Sequence, residues 1–172
     1  MAIVKAVRGK KPKIGSNCYI ADNVSIIGDV IIGDNCSLWY NAVIRGDVNY
    51  IRIGNEVNIQ DGAVVHCNYQ DSVSVIEDRV SVGHNAIIHG ARIEHDVIIG
   101  MGAIIMDHAV VGHSSIIAAG SVLTKHTVIE PGSVFGGTPA KLIKKYKPDD
   151  LNRMTRRSAE HYLMYKKWYQ EE

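Results

Sequence analysis

IGMGAIIMDHAVVGHSSIIAAGSVLTKHTVIEPGSVF, residues 99–135, places an apolar residue at every sixth position: Ile99, Ile105, Val111, Ile117, Leu123, Ile129 and Phe135. A small or polar residue follows most of these leaders, and a small one usually sits fifth. A period of six cannot be an amphipathic helix, whose apolar positions recur at three- and four-residue steps. The β-branched leaders favour short strands instead. The stretch is therefore the rung pattern of a β-solenoid, each strand stacking on its counterpart in the coil before.

Working outward, the series continues backward through Ile93, one residue short of register, to Ile88, Val82 and Ile76. Beyond one insertion lie Val65, Ile59 and Ile53, and beyond a second Ile44, Leu38, Ile32, Ile26, Ile20 and Ile14. All are apolar. The pattern resembles the left-handed parallel β-helix, in which three hexapeptides make one triangular coil. The handedness comes from that resemblance, since general crossover rules give the opposite hand. The expected fold is an all-β solenoid of six to seven coils, stacked about 4.8 Å apart, with a C-terminal α-helix. Fifth-position residues such as Val24, Ala42, Ala63, Ala86 and Ser115 are small enough to turn inward at a corner. Cys18 and Cys36 occupy the same position eighteen residues apart, which reads as core filling in neighbouring coils.

After Phe135 comes GGTPAKLIKKYKP, read as a turn-rich exit, and then DDLNRMTRRSAEHYLMYKKWYQEE, read as a helix with Asp149 or Asp150 as N-cap. Residues 1–172 are expected to form a single domain, with the β-helix at about 12–140 and the helix at about 149–170. Leu151, Met154, Tyr162, Tyr165 and Tyr169 fall near one side of that helix, a face for packing on the solenoid. With 19 basic and 18 acidic residues, the chain has no charge excess to draw a polyanion, so nucleic acid is not an expected partner. It has no apolar run long enough for a signal peptide or a membrane span. A cytoplasmic location follows as the expectation, with three cysteines kept as thiols.

SVGHNAIIHG, residues 81–90, sets His84 and His89 five positions apart. Helical zinc pairs sit at i and i+4, and on a strand an odd separation sends two side chains to opposite faces. The hexapeptide register resolves this spacing. His66 and His89 each stand second in their repeats, after Val65 and Ile88, and so share one outward column in successive coils. Two nitrogens bound tetrahedrally at about 2.0–2.1 Å from zinc lie roughly 3.4 Å apart, a gap that converging side chains can close. His84 stands third in the preceding repeat, on another face, and cannot easily join them within one chain. In a ring of subunits joined head to tail, one chain's pair meets the next chain's His84. Three histidines with a fourth position left for water form a catalytic zinc arrangement.

RGD at 45–47, NIQD at 58–61, His66 and GHNAIIHG at 83–90, threaded on hexapeptides and followed by a C-terminal helix, resemble the γ-class carbonic anhydrase family over nearly the whole chain. The resemblance implies a homotrimer with metal sites at its subunit interfaces, using zinc or sometimes iron or cobalt, and reversible hydration of carbon dioxide to bicarbonate. It also implies that Arg45 and Asp47 form an ion pair across the interface, that Gln60 holds the metal-bound water, and that Asp61 supports that network. Tyr162 would approach the site from the helix. Zinc lowers the pKa of its water to about 7, giving hydroxide to attack carbon dioxide. The sequence departs from the family pattern where protons leave: Val48 stands in place of a glutamate, and CNYQDSVS at 67–74 supplies only Asp71. Fast turnover is not expected unless another group carries the proton. Cys67 reads as a bystander, and His95, His108, His113, His126 and His161 as surface or turn residues. Two other readings stand beside this one. The first is a hexapeptide acyltransferase or coenzyme A thioesterase with a metal-free histidine base. The second is a metal-binding scaffold without rapid turnover.

Overall fold

The computed structural model describes residues 1–171. It is a left-handed parallel β-helix of about seven turns closed by one C-terminal helix. Leaders stack in three columns, one per face. Ile14, Ile32, Ile53, Ile76, Ile93, Val111 and Ile129 pair in register on the first face. Ile20, Leu38, Ile59, Val82, Ile99, Ile117 and Phe135 form the second. Ile26, Ile44, Val65, Ile88, Ile105 and Leu123 form the third. The first and third faces belong to one hydrogen-bonded sheet because the strands Ser25–Ile32 and Val43–Ile53 run round the corner between them.

The repeat folds this way because its fourth residue takes the left-handed conformation. Asn17, Asn23, Asn35, Asn41 and Asn85 all have φ between 54° and 64°, a region asparagine tolerates better than most side chains. That residue turns the chain through a corner and aims the fifth side chain inward. Val24, Cys36, Ala42, Ala63 and Ala86 are accordingly fully buried. With the leaders they form one continuous aliphatic core. Truncating a central leader such as Ile88 to alanine removes about 2–5 kcal/mol.

Both ends differ from the sequence expectation. Strand Ile3–Lys5, upstream of the first recognised repeat, pairs with Ser25–Ile27 and covers the edge of the first coil. The expected turn-rich exit holds a strand, Ala140–Lys145, folded back antiparallel on Ser133–Gly137. The helix runs Pro148–Gln170 with Lys147 as N-cap, so neither Asp149 nor Asp150 caps it; both lie in its first turn. Proline has no N–H and a preset φ, which suits the first helical position, while the two acids complement the dipole. The helix buries Leu151, Thr155, Ala159 and Lys166. Met154 lies off that stripe and is exposed, contrary to expectation. Lys166 Nζ donates to the carbonyls of Asn17 (2.7 Å) and Asn35 (3.1 Å), tying the helix to two solenoid corners. Among the described residues no helix is long and apolar enough to cross a membrane.

The hexapeptide rule breaks at one corner in three successive coils: the insertions after Ile44 and Val65 and the shortened repeat after Ile88. His66 and His89 stand at that corner.

Candidate metal centre

His66 ends the strand Val64–His66 and His89 ends Ile87–His89; the two are direct partners in the parallel ladder. Their side chains converge until His66 Nδ1 and His89 Nε2 are 3.3 Å apart. Each ring's other nitrogen meets a carboxylate, His66 Nε2 with Asp47 Oδ1 at 3.1 Å and His89 Nδ1 with Asp107 Oδ1 at 2.9 Å. Burial raises the Asp47 carboxyl, but hydrogen bonds from Arg45 and His66 outweigh it and leave the pKa below the ordinary value. Burial raises Asp107 too, and the Ser72 hydrogen bond and His89 charge bring it below the usual range. Burial lowers His66, with Asp47 opposing, and the net shift favours the neutral ring. Ionised carboxylates only accept hydrogen bonds, so each must receive an N–H from its histidine. With both rings neutral, the nitrogens left facing one another would each offer a lone pair. The 3.3 Å between them is close to the roughly 3.4 Å of two tetrahedral zinc ligands. The donor set fits a divalent metal, with carboxylates orienting both imidazoles from behind.

Arg45 Nη1 donates to Asp47 Oδ2 at 2.7 Å within the same chain. Asp107 also accepts from Ser72 Oγ (2.6 Å) and Asn68 Nδ2 (3.0 Å), and its second oxygen faces Lys125 Nζ at 3.7 Å. Gly90 makes room for this cluster. It has φ +61°, and a Cβ there would lie 2.1 Å from Ser72 Oγ and 2.3 Å from Asp107 Oδ1.

His84 stands on the second face, just after the strand Ser81–Val82. Its Nδ1 meets Asp61 Oδ2 at 2.8 Å, and its backbone N–H donates to Gln60 Oε1 at 3.2 Å. Gln60 Nε2 donates to Asn58 Oδ1 (3.0 Å), and Asn58 Nδ2 to Ser81 Oγ (2.8 Å), so the buried amide is held at both ends. With its side chain 41% exposed, His84 opens onto a groove of about 270 Å³ shared with Asp61, Trp39, Tyr162, Tyr165 and Trp168. Tyr162 packs edge-on against Trp39, ring centroids 5.5 Å apart, and burial, with Asp61 adding, pushes its phenol up to about 12. Among the described residues of one chain, no three His, Cys, Asp or Glu side chains gather around a common point for an ion.

The remaining candidates are otherwise engaged. Cys67 is fully buried, and burial raises its thiol. His95 stacks on His113 and His108 on His126, each pair with centroids 4.8 Å apart. The sequence reading did not assign roles to Asp107, Ser72 or Asn68. The signal that marks them is the repeat shortened directly after His89, with glycine at its third position.

A family model of bacterial transferase hexapeptides, built on six repeats, matches residues 11–46 and 90–125. A carbonic anhydrase of Geobacillus kaustophilus is 48% identical over 154 residues, covering 90% of this chain and 84% of that protein. A mitochondrial γ carbonic anhydrase of Arabidopsis thaliana, number 2, is 41% identical over 159 residues, covering 90% of this chain and 57% of the plant protein. The chain belongs to the γ-class carbonic anhydrase family. A crystal structure of a Bacillus cereus protein named for acetyl transfer superposes with a TM-score of 0.93 at 39% identity, covering 99% of this chain and 98% of that one.

Val48 packs against the core cluster, so the position after Asp47 is an apolar contact. Asp71 meets His108 Nε2 at 3.2 Å, which leaves that one loop acid already partnered.

Proposed function

We propose that three copies of this chain join head to tail and that each seam holds a divalent metal between His66 and His89 of one copy and His84 of the next. There carbon dioxide and water become bicarbonate and a proton. The observation that carries this reading is the convergence of two imidazole nitrogens to 3.3 Å, each ring backed by a carboxylate. The ion, zinc with iron or cobalt as alternatives, supplies Lewis acidity toward water and a template for the substrate. Asp47 and Asp107 hold one copy's two rings, and Asp61 orients His84 through Nδ1. Gln60, fixed by Asn58 and the His84 N–H, presents its amide to the reacting water. Tyr162, whose phenol stays protonated at neutral pH, offers a hydrogen bond from the groove beside His84. Arg45 has N–H groups beyond the one on Asp47 and extends the ion pair across the seam. The outgoing proton passes to buffer, since Val48 cannot carry it and Asp71 is bound to His108. The unpaired cysteines suit the cytoplasm.

His84→Ala tests the reading: purified without an affinity tag, it should lose both its metal by elemental analysis and its carbon dioxide hydration. Full metal content would contradict the proposal. The His84–Asp61 dyad beside an aromatic groove also suits a metal-free base for acyl transfer or thioester hydrolysis. Activity on a coenzyme A thioester surviving exhaustive chelation would favour that second reading. Bound metal with neither activity would indicate a binding scaffold.

A further inference from the structure

Asp107 lies one coil beyond His89, in a repeat of the ordinary length. Its side chain is 5% exposed, and one of its oxygens gathers three donors: His89 Nδ1 at 2.9 Å, Ser72 Oγ at 2.6 Å and Asn68 Nδ2 at 3.0 Å. Ser72 Oγ in turn accepts the backbone N–H of Asn68 at 3.1 Å, so the loop after His66 closes on this carboxylate. The space for the cluster exists because residue 90 is a glycine with φ +61°. A buried carboxylate with three converging donors has one low-energy orientation, and in it the His89 proton must sit on Nδ1.

We propose that Asp107 is a positioning residue that fixes His89 in the Nδ1–H tautomer with Nε2 aimed at the metal, and that Ser72 locks Asp107 in that role. This inference rests on the metal reading above for its consequence, though not for the tautomer itself. Through Ser72 and Asn68 the loop that follows one ligand controls the orientation of the other. The two histidines are thereby coupled behind the site as well as in front of it.

The test compares the full-length wild type with Asp107→Asn and Ser72→Ala, each checked for folding by circular dichroism and for assembly by sedimentation. Zinc alone is the metal probe, titrated against a chromophoric chelator. Loss of an orienting carboxylate weakens metal binding by roughly 10–100-fold, so Asp107→Asn should show a loss in that range. Ser72→Ala, which leaves the carboxylate in place, should show a smaller one. In metal-free protein at neutral pH, ¹⁵N shifts of His89 should report Nδ1–H in the wild type and a mixture of tautomers in Asp107→Asn. Wild-type zinc affinity together with an unchanged His89 tautomer in Asp107→Asn would overturn the proposal. If Asp107→Asn does not fold, unchanged zinc affinity in Ser72→Ala overturns it. A wild type that binds no zinc would sink the metal reading, and the tautomer measurement would still decide the role of Asp107.

Discussion

Replacing Asp96 with asparagine should loosen the C-terminal helix in a strongly pH-dependent way. Asp96 occupies a left-handed corner, φ +57°, with its side chain fully buried. It accepts from Arg79 Nε (2.7 Å) and Nη2 (3.1 Å), from His95 Nδ1 (2.9 Å), and from helix residues Asn152 Nδ2 and Arg156 Nε, both at 3.3 Å. Burial raises its pKa, but the Arg79 and His95 hydrogen bonds and the charges of Arg79 and Arg156 bring it down to about 2. An unfolded aspartate titrates near 3.9, and each pKa unit is worth about 1.4 kcal/mol, so the ionised carboxylate contributes about 2–3 kcal/mol. The penalty for stranding a buried partner, about 3–5 kcal/mol, does not apply in full because Arg79 and Arg156 reach solvent. The folded pKa is depressed, so this stability is fully present above about pH 4 and disappears as pH falls through about 2. Urea denaturation at fixed chain concentration, followed by tryptophan fluorescence, should show Asp96→Asn about 2–3 kcal/mol less stable than wild type at neutral pH, with the gap closing in acid. A gap that is absent at neutral pH, or constant down to about pH 2, would refute this reasoning.

Hydration should be limited by proton export, so imidazole buffer added at constant pH should raise kcat while leaving kcat/KM unchanged; no buffer dependence would point to an internal carrier. Tyr162→Phe should lower kcat by up to about tenfold without changing the shape of the pH profile below about pH 10, because the native phenol titrates at about 12; a lost ionisation near neutrality would contradict that. Gly90→Ala should weaken zinc binding at least tenfold, since its Cβ would occupy the space of Asp107 Oδ1 and Ser72 Oγ; wild-type affinity would show that the cluster can shift without cost.

The three leader columns were legible because the hexapeptide is a local code in which each unit carries its own strand, corner and inward residue. That register also aligned residue 66 with residue 89 and separated residue 84 from both. The terminal strands escaped because neither obeys the repeat: Ile3–Lys5 is recruited by an open edge, and Ala140–Lys145 pairs antiparallel. The N-cap was misassigned because Pro148 was counted with the exit instead of as the first helical residue, which moves the cap back to Lys147. Asp107 escaped for a different reason. Its contact with His89 depends on a repeat one residue short, a glycine that leaves space, and a loop that folds back, and spacing alone evaluates none of these. Met154 is apolar but lies outside the buried line of the helix, which runs through Leu151, Thr155 and Ala159.

The claim of a site shared between copies is tested most directly by complementation. His84→Ala and the His66→Ala/His89→Ala double variant are each purified, mixed in equal amounts, dissociated and reassembled. If each site takes its pair from one copy and its third histidine from the next, random assembly restores about a quarter of the sites. Zinc content and hydration should recover to about that fraction of wild type, while neither variant alone shows either. No recovery in a mixture proven to exchange subunits, or full metal retention by either variant alone, would contradict the account.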